Sequence, residues 1–366
     1  MREENNKAIY LPGLNGIRAI AAISVIISHI GIHLDYFGFK NIRAYSLADY
    51  GVTMFFALSG FLITYLILIE KRLYQKINIR QFYIRRVLRI WPLYFFYMFI
   101  TLVILLLLKF NVDKNLIYYI FMIPNYPFAI TTATGLASTV MFLGHYWSVG
   151  VEEQFYAFWP WIMNKTKNLL LISISLFIGF IFVKALLSIF HANVIVITFF
   201  HYTRFGCLAL GGIFAFLYVN DSKLIQILKM KIFEIIAWSV FVLVAFNLYG
   251  LYNIIEHEVF AFFTLIIIVN QISNPKRVIS LENRVFDYLG KISYGLYIYN
   301  PLMIYLVSLV MKNIIKVESE MNLVIIYMVT TISIIFVAHL SYFYFEKPFL
   351  RLKSRFTTIE SRSSKI

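Results

Sequence analysis

The chain has 366 residues, of which 61% are hydrophobic and only 14% are charged. Soluble globular domains carry about 25% charged and about 45–50% apolar residues, so this composition excludes an ordinary soluble domain, and its hydrophobicity excludes a disordered chain. The formal net charge of +15 would suggest a nucleic-acid partner for a soluble protein. In a membrane protein it reports first on topology, and we expect no nucleic-acid partner.

Ten apolar segments are long enough to cross a bilayer, because a helix rises about 1.5 Å per residue and the hydrocarbon core is about 30 Å thick. The sequence therefore predicts an all-α, polytopic membrane bundle of about ten helices, with a single membrane domain over residues 1–366. A further apolar stretch near 115–130 is interrupted by two prolines; it favours an interfacial or re-entrant segment, with an eleventh span as the alternative. The ten predicted spans lie near 14–34, 50–70, 91–108, 143–163, 168–190, 194–218, 233–249, 255–273, 289–311 and 323–345.

Lysine and arginine are distributed unevenly between the connecting segments. If the N-terminus is cytoplasmic, the cytoplasmic segments hold 23 of the 33 Lys and Arg residues and the outer segments hold six. Cytoplasmic loops of membrane proteins carry such an excess. The asymmetry predicts an even number of spans with both termini in the cytoplasm.

Several polar side chains fall inside the predicted spans, where ionisable groups are costly and mark pairing or function. Arg18 and His29 on the first span are eleven residues apart, so they share one face and are separated by about 16 Å. Adjacent Glu152 and Glu153 on the fourth span cannot both face the same side. Similar depths are predicted for Ser59, Gln154, Arg204 and Asn300. This convergence indicates a polar cavity in the bundle, which would suit an enzyme or a transporter.

Three arginines lie at the cytoplasmic entrance to the third span, in the run FYIRRVLRIWPLY. Arg85 and Arg89 are i,i+4 neighbours and Arg86 and Arg89 are i,i+3 neighbours, so the run could share one anion. Guanidinium groups suit phosphates. The alternative is anchoring at the cytoplasmic surface or binding of anionic lipids.

The remaining histidines carry less information. His33 and His145 are expected near the outer surface, either at an acceptor entrance or as interfacial side chains. The others lack carboxylates at ligand spacing, so no metal site is expected. These are His191, His201, His257 and His339.

Taken together, seven runs resemble the acyltransferase-3 family of integral membrane acyltransferases, in the family's order and over essentially the whole chain. Arg18 and His29 have the family's Arg-x10-His spacing. The runs are GLNGIRAIAA, FFALSGFLIT, FYIRRVLRIWPLY, WSVGVEEQFYAFWP, TRFGCLALGG, ISYGLYIYNP and FEKPFL.

The resemblance implies transfer of an acyl group, usually acetyl, from cytosolic acyl-CoA to a hydroxyl of a cell-surface glycan or its lipid-linked precursor. It implies a multi-pass protein of the bacterial inner membrane with no permanently bound cofactor. His29 would be catalytic, with Arg18 and Glu152, and Arg85, Arg86 and Arg89 would hold the CoA phosphates. Substrate contact or structural support would come from Ser59, Gln154, Tyr156, Arg204 and Asn300.

The sequence leaves several alternatives open. His29 could deprotonate the acceptor or carry the acyl group itself, and Glu152 could orient its imidazole. Arg204 could stabilise an oxyanion or simply neutralise Glu152. Two departures from the family pattern, Gly206 with Cys207 in place of a nearby acid and Asn300 in place of a common His, leave a non-catalytic scaffold or sensor as a third hypothesis. The runner-up function is a transporter or exporter of a glycan or its precursor, and the oligomeric state and acyl group stay undetermined.

Overall fold

The computed structural model describes residues 7–39, 47–110, 114–136, 140–248, 250, 254–315, 317–357 and 359–362. These residues form a helical bundle, which confirms the all-α prediction. Two short strands, β1 (Lys7–Tyr10) and β2 (Ile359–Arg362), pair in parallel and join the two ends of the described chain. The helices are α1 Leu14–Ile32, α2 Leu47–Tyr74, α3 Ile79–Leu107, α4 Leu116–Ile120, α5 Asn125–Thr134, α6 Tyr146–Lys165, α7 Leu169–Ile189, α8 Val194–Tyr202, α9 Phe205–Val219, α10 Lys223–Leu228, α11 Lys231–Ala245, α12 Glu256–Ser273, α13 Arg284–Lys291, α14 Ser293–Ile314, α15 Glu320–Leu340 and α16 Lys347–Ser354.

Each of the ten apolar segments folds mainly as helix. Within the described residues, eight helical stretches are long and apolar enough to cross a membrane; α8 with α9, and α15 with the helical residues that follow it, count as one stretch each. The two predicted spans outside this set correspond to α6, which carries two adjacent carboxyl groups, and to α11, which has only 15 residues. Fifteen residues extend about 22 Å, less than the hydrocarbon thickness.

The apolar stretch near 115–130 forms two short helices, α4 and α5, instead of one spanning helix. Gln154 on α6 fixes this segment. Its Nε2 donates hydrogen bonds to Asn125 Oδ1 at 2.7 Å and to the carbonyl of Met122 at 3.1 Å. Gln154 therefore has a structural role, holding the α4–α5 segment against α6.

The peripheral helices turn apolar side chains outward. On α7 only four residues are buried, while Ile178 and Phe182 are exposed; on α15, Ile332 and Phe336 are exposed as well. Exposed apolar surface of this extent is what a lipid-facing helix presents, because lipid tails are as apolar as the side chains.

Two glycines permit the close crossing of α2 and α9 at the centre of the bundle. A Cβ on Gly60 would lie 2.1 Å from the carbonyl oxygen of Leu208, and a Cβ on Gly211 would lie 2.5 Å from the amide nitrogen of Phe61. Small residues let membrane helices approach this closely. The crossing brings Ser59, the neighbour of Gly60, to the bundle interior.

Gly60→Ala is expected to destabilise the protein by about 1–3 kcal/mol, the usual cost of overpacking a filled core. The measurement is the thermal unfolding midpoint of the detergent-solubilised protein. Gly179→Ala on α7 is the matched control, because its Cβ would meet no atom within 4 Å. Equal midpoints for the two variants would contradict the proposed crossing.

Candidate active site

A polar cavity lies inside the bundle, and its lining comes from α1, α2, α3, α6, α14 and α16. The volume open to the centre of a water molecule is about 150 Å³. Six of the residues singled out in the sequence line it: Arg18, Ser59, Arg86, Arg89, Glu152 and Tyr156. Of the side chains predicted to converge at similar depth, Ser59 and Glu152 lie in its wall, whereas His29, Gln154, Arg204 and Asn300 are outside the described lining.

Four cationic side chains line this cavity: Arg18, Arg86, Arg89 and Lys353. In the part of the chain that the structure describes, none of them forms a salt bridge. Arg18 donates from Nη1 to Asn15 Oδ1 at 2.9 Å. Four cations without ionic partners make a site that favours an anion with several negative charges.

Arg86 is packed beneath aromatic rings instead of being neutralised. Its guanidinium carbon lies 5.2 Å from the centroid of the Tyr156 ring and 5.7 Å from that of Phe82, and its buried Nε has no hydrogen-bond partner among the described residues. Ring faces orient a guanidinium group without removing its charge. Arg86 is thus held in place with hydrogen-bond capacity unused.

Arg85 does not line the cavity with its two neighbours. Its Nη2 pairs with Glu70 Oε2 at 3.4 Å, and its Nη1 donates to the carbonyl of Phe356 at 3.1 Å. The structure therefore divides the predicted arginine cluster: Arg86 and Arg89 face the cavity, while Arg85 connects α3 to α2 and to the residues after α16.

Glu152 is the carboxylate in the described cavity wall. Its Oε1 accepts a hydrogen bond from Ser59 Oγ at 2.7 Å, and its Oε2 accepts one from the Tyr156 hydroxyl at 3.2 Å. Glu153 points elsewhere and accepts a hydrogen bond from Trp91 Nε1 at 2.9 Å. The two adjacent carboxyl groups face different surroundings, as helical geometry predicts.

The side chain that contacts the imidazole of His29 is Asn300 on α14, with His29 Nδ1 and Asn300 Oδ1 2.5 Å apart. Among the described residues, Glu152 bonds Ser59 and Tyr156, and the hydrogen-bond partner of the His29 imidazole is Asn300 in place of the expected Glu152. His29 is outside the described cavity lining. Tyr297, one helical turn before Asn300, belongs to that lining, so the His29–Asn300 pair lies one turn of α14 beyond a cavity wall.

Arg204 belongs to a separate buried cluster. It donates to Asp49 Oδ1 at 2.7 Å and to Thr53 Oγ1 at 3.1 Å, and its guanidinium carbon lies 5.2 Å from the centroid of the Trp147 ring. The suggestion that Arg204 neutralises Glu152 is wrong, because its ionic partner is Asp49. Arg204 therefore connects the junction between α8 and α9 to the first turns of α2.

Sequence reasoning missed Lys353 and Tyr297. Lys353 lies among six basic residues after position 346, where cytoplasmic anchoring was the simplest interpretation. The available signal was its place just after the FEKPFL run. Tyr297 shares the ISYGLYIYNP run with Asn300; its hydroxyl donates to the carbonyl of His145 at 2.7 Å and bonds the hydroxyl of Ser148 at 2.6 Å.

The side chain of His145 is buried within the bundle. Its ring lies beside Tyr297, with ring centroids 5.3 Å apart. Among the described residues, no group of three or more His, Cys, Asp and Glu side chains is arranged to hold a metal ion.

A family model described as an acyltransferase domain matches residues 11–340. A protein of Staphylococcus aureus (strain COL) named "Putative O-acetyltransferase" is 30% identical over 376 aligned positions, which cover 94% of this chain and 58% of that protein. The O-acetyltransferase OatA of S. aureus (strain NCTC 8325 / PS 47) is 32% identical over 160 positions, covering 42% of this chain and 25% of OatA. This chain therefore spans little more than half the length of the first of these relatives. No solved structure matches it.

Proposed function

Because the chain belongs to the acyltransferase-3 family, we propose that it is a membrane O-acyltransferase that moves an acyl group, in the simplest case acetyl, from cytosolic acyl-CoA to a glycan hydroxyl. The names of its relatives support O-acetyl transfer. The observation that carries the proposal is the cavity lined by four cations without salt-bridge partners among the described residues.

The donor accounts for that charge. Coenzyme A carries its phosphate groups at one end and its thioester at the other, and guanidinium groups bind phosphate oxygens through paired hydrogen bonds. Arg18 follows the start of α1, Arg86 and Arg89 follow the start of α3, and Lys353 is near the end of α16. The lysine and arginine distribution predicts that this end of the bundle faces the cytoplasm, where acyl-CoA is available.

The reaction needs a proton acceptor, because a sugar hydroxyl is a weak nucleophile until its proton is removed. In the proposed step His29 takes that proton while the hydroxyl oxygen attacks the thioester carbonyl carbon. The C–O bond forms, the C–S bond breaks, and the proton that His29 accepted passes to the sulfur, so that coenzyme A leaves as the thiol and His29 returns to its neutral form. A route through an acyl-histidine would use the same imidazole lone pair.

In this proposal Arg18 contributes to the binding of acyl-CoA. Eleven residues of α1 separate it from His29, which corresponds to about 16 Å, and Arg18 lines the cavity. The acceptor class, a surface glycan or its lipid-linked precursor, and the location in the bacterial inner membrane are inferred from the family resemblance. An acceptor arriving from the outer side would reach His29 from the end opposite to the cations.

The test is transfer of label from [¹⁴C]acetyl-CoA by the purified protein in proteoliposomes, with a panel of oligosaccharides and lipid-linked sugars. We expect labelled acceptor together with free CoA thiol, and loss of both in His29→Gln. His339→Gln is the matched control, because His339 bonds Tyr288 away from the cavity. Movement of an acceptor across the membrane without CoA binding would overturn the proposal and favour a transporter.

A further inference from the structure

Helix α14 contains a proline directly after Asn300, and this proline changes the hydrogen bonding of the helix. Pro301 has no N–H, so the carbonyl of Tyr297, four residues earlier, lacks its usual helical donor. Asn300 takes over this role: its Nδ2 donates to the carbonyl of Tyr297 at 2.5 Å and approaches that of Leu296 at 3.4 Å. The proline therefore fixes where the amide nitrogen of Asn300 points.

The direction of the amide decides which of its atoms meets His29. With Nδ2 directed at two carbonyl oxygens, Oδ1 must face the imidazole, 2.5 Å from His29 Nδ1. A reversed amide would oppose Oδ1 to the carbonyl of Tyr297 and leave that group without a donor. An amide oxygen only accepts hydrogen bonds, so the proton of a neutral His29 lies on Nδ1 and the lone pair lies on Nε2.

We propose that Asn300 is a positioning residue that holds His29 in the Nδ1-protonated tautomer and so reserves Nε2 for the reacting hydroxyl or acyl group. This inference rests on the proposed acyl transfer. It gives Asn300 a role that needs no proton exchange, because its amide cannot titrate at neutral pH. Pro301 contributes to this positioning as well, because it leaves the carbonyl of Tyr297 without a backbone donor and this carbonyl orients the amide of Asn300.

The experiment compares Asn300→Leu, which has nearly the same volume but no polar atoms, with Asn300→Asp, which keeps an oxygen toward His29. We expect kcat of Asn300→Leu to fall about 10²-fold or more, within the range that general bases contribute, while KM for acetyl-CoA changes little. Asn300→Asp should recover only part of the loss, because one oxygen still faces His29 Nδ1 while the other replaces the donor to the Tyr297 carbonyl. Asn313→Leu is the control, because Asn313 is exposed on the same helix and also donates to a carbonyl four residues earlier.

A second measurement reads the tautomer directly in the wild-type protein. Solid-state ¹⁵N spectra of the histidine-labelled protein contain seven imidazoles, and subtraction of the His29→Gln spectrum identifies that of His29. A protonated Nδ1 with an unprotonated Nε2 is expected, and the opposite tautomer would overturn the inference even if Asn300→Leu does not fold. Wild-type kcat in a folded Asn300→Leu protein would also overturn it, whereas absence of transfer in wild type would overturn the proposed function itself.

Discussion

Replacing Arg86 and Arg89 together by glutamine is expected to weaken acetyl-CoA binding about 10²–10⁴-fold. We assign each arginine one charge-assisted hydrogen bond to a phosphate of acetyl-CoA, which is worth about 1.5–3 kcal/mol. Each 1.4 kcal/mol corresponds to about a tenfold change in Kd. Neither side chain has an ionic partner among the described residues. The substitution therefore removes ligand contacts without leaving a carboxylate unpaired.

The measurement is binding of [³H]acetyl-CoA to the detergent-purified protein. Arg85→Gln is the matched control: it removes the same charge one residue away, but Arg85 already bonds Glu70 and the carbonyl of Phe356. The control should keep Kd within about threefold of wild type while lowering stability. Lys353→Gln should weaken binding about tenfold, as expected for one lost contact. If Arg85→Gln lost as much affinity for acetyl-CoA as the double variant, the cavity would not be the acetyl-CoA site.

The division of the arginine cluster could not be predicted from the sequence. Helical spacing allowed Arg89 to act with either Arg85 or Arg86, because both combinations place two guanidinium groups on neighbouring turns. Which arginine acts with Arg89 depends on Glu70 in α2, because its carboxylate pairs with Arg85, which therefore does not line the cavity. Lys353 lines the cavity because α16 packs back on α3; the FEKPFL run before it draws attention to this part of the chain but does not indicate the contact.

The sequence predicted that polar residues lie in the interior of the bundle, but it did not predict which of them bond to one another. Apolar segment lengths and charge asymmetry predicted the helices, and an eleven-residue spacing placed Arg18 and His29 on one face. The partner of His29, however, is 271 residues away in sequence, and which helix supplies it depends on tertiary packing. A buried carboxylate is the chemically simplest partner, but the structure has Asn300 there, which also donates to the carbonyl of Tyr297 that Pro301 leaves without a backbone donor.

The same limit applies to Lys184, a basic residue within the predicted span near 168–190 whose partner no local pattern in the sequence indicates. In the structure it lies on α7 and donates to both carboxylate oxygens of Glu258 on α12, at 2.8 and 3.0 Å. Only 6% of the Lys184 side chain and 2% of the Glu258 side chain are exposed. Gly206 makes room for this carboxylate, since a Cβ there would lie 2.8 Å from Glu258 Oε1. A carboxylate from α12 therefore lies beside Gly206, one of the two positions near which the family resemblance implies an acid.

Lys184→Met is expected to destabilise the protein by about 3–5 kcal/mol, because it leaves the carboxylate of Glu258 buried without a counter-ion. The double variant Lys184→Met/Glu258→Gln should recover most of this loss, since it buries no unpaired charge. Glu282→Gln is the control: its pair with Arg277 is more exposed, with 30% and 19% of the side chains accessible, and its loss should cost at most about 1 kcal/mol. The measurement is thermal and denaturant unfolding in detergent. A double variant as unstable as Lys184→Met would show that packing, and not the uncompensated charge of Glu258, determines the stability of the α7–α12 contact.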